Sequence, residues 1–328
     1  MRVLITGVAG FIGAALARVL LDRGDTVLGI DNLNDYYDPR LKRDRLAMLT
    51  SDGFVFAQVD FSDRNALDAA MAGQHFDSIV HLGAQAGVRY SIDNPRAYVQ
   101  SNLVGHLELL ELARTRKVTM VYASSSSVYG GNTELPFRVE DRVDRPVSLY
   151  AATKKADELM SETYAHLYRI PLTGLRFFTV YGPWGRPDMA MWIFTEKILR
   201  GLPIAVFNNG EMRRDFTYID DIVAGVVACI DTPPQDDYCV KPGGSVAPHR
   251  IFNVGNHRSE DLMRMISLIE GACDKKAVID FQPMQDGDVP ETFADIAAIG
   301  GDLGYAPTTS IDVGIPAFTA WFRDYLKV

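Results

Sequence analysis

The sequence predicts an α/β protein built on a doubly wound parallel sheet, with a smaller mixed α/β part toward the C-terminus. Three observations carry this. Apolar runs of strand length alternate with amphipathic stretches of helical length over the first half of the chain, the pattern of strand–helix–strand units with right-handed crossovers. The first run, Val3-Leu4-Ile5-Thr6, breaks into the glycine-rich turn Gly7-Val8-Ala9-Gly10-Phe11-Ile12-Gly13 before a helix with Leu16, Val19 and Leu20 on its inner face. The second, Thr26 to Ile30, ends on Asp31.

A buried strand, a glycine turn and a helix N-terminus together make a dinucleotide site of the Rossmann type. The glycines allow a tight turn and close approach of backbone to a pyrophosphate, and the helix end offers N–H donors and positive dipole. The spacing is GxxGxxG, a departure from the G-x-G-x-x-G form. Gly7, Gly10, Phe11, Ile12 and Gly13 are the candidates, and Asp31 lies where a carboxylate meets the adenosine ribose diol and repels a 2′-phosphate, favouring NAD over NADP. Asn32 opens a polar, aromatic loop. A basic helix over residues 38–49 reads as a solvated charged face. A third strand, 54–59, ends at Asp60-Phe61, a pair placed to flank the adenine, although Asp60 could instead cap the next helix. A fourth strand, 76–82, opens into small residues 83–88, and 95–117 reads as one long helix carrying Asn102. The fifth strand, 118–123, delivers Ser124-Ser125-Ser126-Ser127.

After a loop to Pro146 comes a helix from Tyr150 to about Tyr168, then a sixth strand over 172–178. Its Tyr150 and Lys154 are one turn apart and share a face. A neighbouring ammonium stabilises a phenolate and makes a tyrosine usable as a general base at neutral pH. Serine hydroxyls at a strand end can hold a substrate hydroxyl against it. Taken alone, YxxxK is equally an exposed helical pair with a snorkelling lysine; the glycine turn at the start of the chain decides against that. Residues 1–178 form the expected NAD-binding domain and 179–328 the substrate-binding part, with segments around 215–255 returning to the first. Residues 213–216 read as a charged turn and 232–248 as a surface loop.

Composition narrows function further. The 328 residues carry 33 basic and 42 acidic side chains for a net charge of −9, with a pI near 5.2, so no general attraction to nucleic acid or an anionic membrane is expected. No signal peptide or transmembrane run is apparent, and the expected location is cytoplasmic. Cys229, Cys239 and Cys273 lack CxxC spacing and read as free thiols, with no metal site expected.

GxxGxxG, the serine run and YxxxK, in that order over residues 3–221, resemble the extended short-chain dehydrogenase/reductase family. The longer strings Asn32 to Asp38, Gln85 to Ser91, Thr179 to Met189 and Asp286 to Val289 resemble its UDP-glucuronate 4-epimerases. Gly83 departs from the alanine usual there. Neighbouring 4,6-dehydratases and UDP-glucuronate decarboxylases carry acids before Val-Tyr-Gly, where this chain has Ser126 and Ser127. The resemblance implies bound NAD and C4 epimerisation through a 4-keto sugar. Tyr150 would act as base, Lys154 would support it and bind the nicotinamide ribose, and Ser125 and Ser127 would hold the reacting oxygen. It extends the cofactor set to Leu82, Ala84, Asn102, Ser124 and Phe177. It assigns Arg89, Ser126, Ser127 and Thr179 to the sugar carboxylate, Arg186 and Arg214 to the uracil or diphosphate, and Asp288 to the substrate. For Arg89, a structural pairing with Asp93 is the alternative. A UDP-sugar partner and a homodimer through residues 95–117 and 148–168 are implied too. Another nucleotide-sugar 4-epimerase, or a UDP-glucuronate decarboxylase, is the competing enzyme reading. An NAD-sensing binding protein is the non-enzyme reading, but such sensors are expected to lack the tyrosine or lysine that this chain keeps.

Overall fold

A computed structural model describes residues 1–285 and 287–327. Its strands are β1 (Arg2–Thr6), β2 (Thr26–Asp31), β3 (Phe54–Gln58), β4 (Ser78–His81), β5 (Thr119–Ser125), β6 (Leu172–Phe177), β7 (Thr179–Tyr181), β8 (Pro203–Val206), β9 (Arg213–Tyr218), β10 (His249–Val254), β11 (Ser259–Asp261) and β12 (Val278–Phe281). Seven of them form one parallel sheet in the order β10-β6-β5-β4-β1-β2-β3. Helices cover both faces, so the inner strands are apolar throughout rather than alternating; Val3, Leu4 and Ile5 are fully buried. One face packs on the Phe11–Asp22 and Ile219–Asp231 helices, the other on Arg64–Met71, Gly105–Arg116 and Leu149–Tyr168. Strand order reverses between β1 and β4, and the crevice at the carboxyl ends of these strands is where such a sheet takes its ligands.

Beyond β6 the chain builds a second core from the Ala190–Arg200, Leu262–Cys273 and Ile311–Leu326 helices, with Trp192, Phe194, Phe318 and Phe322 inside. Two small sheets belong here, β11-β9-β7 and β12-β8.

Several sequence expectations change. Residues 213–216 are no turn: they begin β9, which pairs with β7 on one side and β11 on the other. The expected single helix over 95–117 contains a π-helical stretch, Val99–Val104, where Asn102 sits. The basic helix, observed as Pro39–Ala47, is not simply a solvated face, because Lys42 and Arg45 are 6% and 0% exposed. The strands β7, β11 and β12 carry no distinct sequence signal; each is three or four residues long and formed by its partners. No described helix is long and apolar enough to cross a membrane.

Candidate active site

One cleft runs along the carboxyl edge of the large sheet. At its first end the glycine turn leaves β1 with Gly7 at φ +69, a left-handed conformation. A Cβ on Gly13 would lie 2.2 Å from the Gly7 carbonyl oxygen, so the helix can start this close to the turn only with glycine there. The helix cap at Gly10 contributes no side chain, and Gly7, Gly10, Phe11, Ile12 and Gly13 all line the cleft. Asp31 ends β2 beside them and accepts from the Leu33 and Ala9 amides at 2.8 and 3.2 Å. Burial pushes its carboxyl up, against those amides and the Lys42 charge. An unblocked helix N-terminus for a pyrophosphate and a carboxylate for a ribose diol fit NAD.

Phe61 lines the cleft and Asp60 does not. Asp60 accepts from Asn32 Nδ2 at 3.0 Å and from the Ser62 hydroxyl at 2.6 Å, so it braces the cleft-lining Asn32 from behind. The next helix is capped by Asp63, not Asp60. Gly83 packs against Phe61: a Cβ there would lie 2.5 Å from the phenyl ring, so alanine would require the ring to shift.

At the other end, Ser148 caps the Leu149–Tyr168 helix through the Ala151 amide, 3.1 Å away. Tyr150 and Lys154 therefore leave its first turns on one side, and both line the cleft. Lys154 is 2% exposed, and its Nζ donates to the Ala123 carbonyl at 2.9 Å and Asp157 at 3.1 Å. Burial raises the Asp157 carboxyl while Lys154 opposes the rise. The end of β5 thus fixes the ammonium. The Ser125 hydroxyl accepts from the Ser127 amide at 3.1 Å and donates to its hydroxyl at 3.1 Å, closing the tight turn Ser126–Tyr129 that turns the serine run into the cleft. Ser124 donates to Glu158 Oε1 at 2.7 Å. Glu158 also takes two bonds from Arg176, at 2.8 and 3.0 Å, and Arg176 holds its carboxyl low despite burial. Ser124, Ser125, Ser126, Ser127, Thr179, Phe177, Leu82, Ala84 and Arg186 complete the sequence-expected residues that reach the cleft.

Four do not. Asn102 is buried behind the wall, accepting from the Gln85 amide at 2.8 Å and donating to Thr153 at 3.0 Å, so it ties the 82–88 loop to the Tyr150 helix rather than facing a cofactor. Arg89 does not pair with Asp93. Its guanidinium stacks over Phe207, 4.9 Å from the ring centre, and stands 3.6 Å from Asp288. Asp288 also takes Arg214 at 3.1 Å. None of these three lines the cleft. Asp286 lies outside the described residues.

The cleft also has residues the sequence reading missed: Tyr36, Tyr37, Lys42 and Gln85. Arg45, one turn beyond Lys42, donates to the Trp184 and Gly185 carbonyls, to Ala9 O and to the Tyr37 hydroxyl, joining the glycine turn to the 182–189 loop. The spacing of Lys42 and Arg45, three apart beside Leu41, was the available signal that both face inward.

Residues 3–255 match the NAD dependent epimerase/dehydratase family. The chain belongs to that family. It is 46% identical to a probable UDP-glucuronate 4-epimerase of Rhizobium meliloti over 98% of this chain and 97% of the relative. The fold of this family member superposes on UDP-glucuronic acid 4-epimerase from Bacillus cereus, solved with UDP-glucuronic acid and NAD, with a TM-score of 0.86 at 31% identity, covering 99% of this chain and all of that one. A UDP-glucose 4-epimerase from Thermotoga maritima, solved with UDP-glucose, gives 0.87 at 26% identity over 99% of this chain and all of that one. The family backbone therefore does not discriminate the sugar; side chains must.

Proposed function

We propose that this chain interconverts UDP-glucuronate and UDP-galacturonate by inverting C4 through a transient 4-keto sugar. The observation that carries this reading is the composition of the catalytic end of the cleft. Tyr150 and Lys154 meet Ser125, Ser126, Ser127 and Thr179 there. Among the described residues, the only carboxylate lining the cleft is Asp31, which lies beyond β4 and β1 at the cofactor end. Eliminating water from a 4-keto sugar needs an acid and a base. Hydroxyl donors and the Arg186 cation suit a sugar carboxylate instead.

Bound NAD supplies the hydride acceptor and donor at C4, and Gly7, Gly10, Gly13, Asp31 and Lys154 are the residues that would hold it. Tyr150 Oη takes the C4 hydroxyl proton and later returns it. The Lys154 ammonium, pinned by Ala123 O and Asp157, offsets the negative charge Tyr150 carries as base. Ser125 and Ser127 hold the reacting oxygen. A 4-keto uronic acid is a β-keto acid, which loses carbon dioxide when its carboxylate bond aligns with the carbonyl π system. Ser126, Ser127 and Thr179 hold the carboxylate out of that alignment. Arg89, engaged with Phe207 and Asp288, is not its partner in this reading; Arg89, Arg214 and Asp288 are left for the UDP portion. Arg186, which lines the same cleft as Tyr150, acts at the sugar rather than at the uracil in this reading.

The test is product analysis with UDP-glucuronate and no added cofactor. UDP-galacturonate is the expected product. UDP-xylose or a UDP-4-ketopentose would reassign the chain as a decarboxylase, and no turnover even with added NAD would favour a sensor.

The same reading includes a homodimer. Val99, Leu107, Leu159 and Leu167 are 39–60% exposed on two packed helical segments, 95–116 and Leu149–Tyr168, and an apolar face of this kind suits helix packing against a second copy. Light scattering should give twice the chain mass, and Leu107→Asp with Leu159→Lys should halve it; a monomeric wild type would remove this part of the proposal. Free, unpaired cysteines fit a cytoplasmic location.

A further inference from the structure

Two side chains that the reaction leaves without a role, Tyr36 and Asp188, meet beside Arg186 at the cleft. Tyr36, in the loop after β2, donates to Asp188 Oδ2 at 3.0 Å, across 152 residues of sequence. Asp188 in turn takes Arg186 Nε on Oδ1 at 3.0 Å and Nη2 on Oδ2 at 2.5 Å. One edge of the guanidinium is thereby committed. Its Nη1 has no protein partner among the described residues, and Arg186 lines the cleft, so that edge is left to a ligand. Burial and the Asp188 charge push the Tyr36 phenol up to about 12, so it remains a donor at neutral pH.

The tyrosine is itself held. Its ring packs 4.8 Å from Tyr90, Tyr90 lies 6.2 Å from Tyr98, and Tyr98 meets the catalytic Tyr150 edge-on at 6.0 Å. Tyr98 donates to the Ala86 and Gly87 carbonyls, at 2.9 and 2.5 Å. Gly87, at φ +102, leaves the space that Tyr36 fills: a Cβ there would lie 2.8 Å from its hydroxyl. One aromatic wall therefore runs from the base to the support of Arg186. An arginine offered to a ligand on a flexible stem loses rotamer freedom on binding; one clamped on its far edge has already lost it.

We propose that Tyr36 and Asp188 are positioning residues that clamp one edge of Arg186 and present the other to the carboxylate of the sugar, and so set the preference for a uronic acid over a neutral hexose. This rests on the reading that the cleft takes UDP-glucuronate. The two signature segments, Asn32 to Asp38 and Thr179 to Met189, then form one device split between two parts of the chain.

The test measures kcat and KM for UDP-glucuronate and UDP-glucose with wild type, Tyr36→Phe, Asp188→Asn, Arg186→Ala and the Tyr36→Phe/Arg186→Ala double variant, with bound NAD quantified in each as a check on folding. Tyr36→Phe should lower the ratio of kcat/KM for the acid to that for the neutral sugar by roughly tenfold, the loss of one hydrogen bond to a charged group, mostly through KM. Asp188→Asn should lower it further. In the Arg186→Ala background, Tyr36→Phe should change the ratio little, because its effect passes through the arginine. An unchanged ratio in Tyr36→Phe and Asp188→Asn, or an equal fall of both substrates, overturns the proposal. So does a full additional loss in the double variant. A wild type that converts no UDP-glucuronate overturns the functional reading, and the proposal with it.

Discussion

Tyr150→Phe is expected to lower kcat on UDP-glucuronate by about 100- to 10,000-fold, the range for losing a positioned general base, with UDP-sugar affinity and NAD content close to wild type. The ring remains, so its edge contact with Tyr98 at 6.0 Å and the cleft wall survive. What disappears is the phenol oxygen of the residue one helical turn before the buried Lys154. The serine hydroxyls do not substitute: Ser124 is committed to Glu158, and Ser125 and Ser127 act by holding the reacting oxygen rather than by taking its proton. Steady-state kinetics with binding measured separately make the check, since a loss confined to kcat identifies an interaction made at the chemical step. Retention of kcat within tenfold would remove Tyr150 from the role of base.

The second large effect is on stability. Glu158→Ala should cost about 3–5 kcal/mol, the range for breaking a buried ion pair by removing one partner. Arg176 is 1% exposed and keeps its bond to the Tyr129 hydroxyl at 3.0 Å, but its charge would lose both carboxylate oxygens, and Ser124 would lose its acceptor. Such a loss is a large fraction of the stability of an ordinary domain. Urea denaturation measures it. Replacing both partners with apolar residues, Glu158→Leu with Arg176→Met, should cost less than Glu158→Ala, because no uncompensated charge stays buried. A cost below 1 kcal/mol for Glu158→Ala, or a double variant worse than the single, would show that the pair is not what holds β6 to the Tyr150 helix.

Glu158 also marks where sequence reading stops. A glutamate four residues after Lys154 reads as a helix-surface charge, and only β6, contributing Arg176 from a buried strand, makes it internal. Asn102 is similar. The family resemblance implies a cofactor contact, but the π-helical stretch and the Gln85 and Thr153 partners turn it to the protein side. For Arg89 the sequence offers a carboxylate contact or a pairing with Asp93; its actual partners, Phe207 and Asp288, come from the C-terminal part of the chain.

The sequence by itself determined the parallel sheet, the glycine turn with Asp31, the serine run and the Tyr150/Lys154 pair. Each is a local or periodic signal: burial on both faces makes strands uniformly apolar, the helical turn brings residues four apart to one side, and a helix starting against a turn admits only glycine. Only the tertiary structure decided what surrounds them. Arg45 beneath the 182–189 loop, Tyr36 on Asp188 and Phe61 against Gly83 join segments far apart in sequence. Such contacts arise when two cores pack and buried polar groups take whatever partners lie opposite, and no spacing along the chain encodes which partners those are.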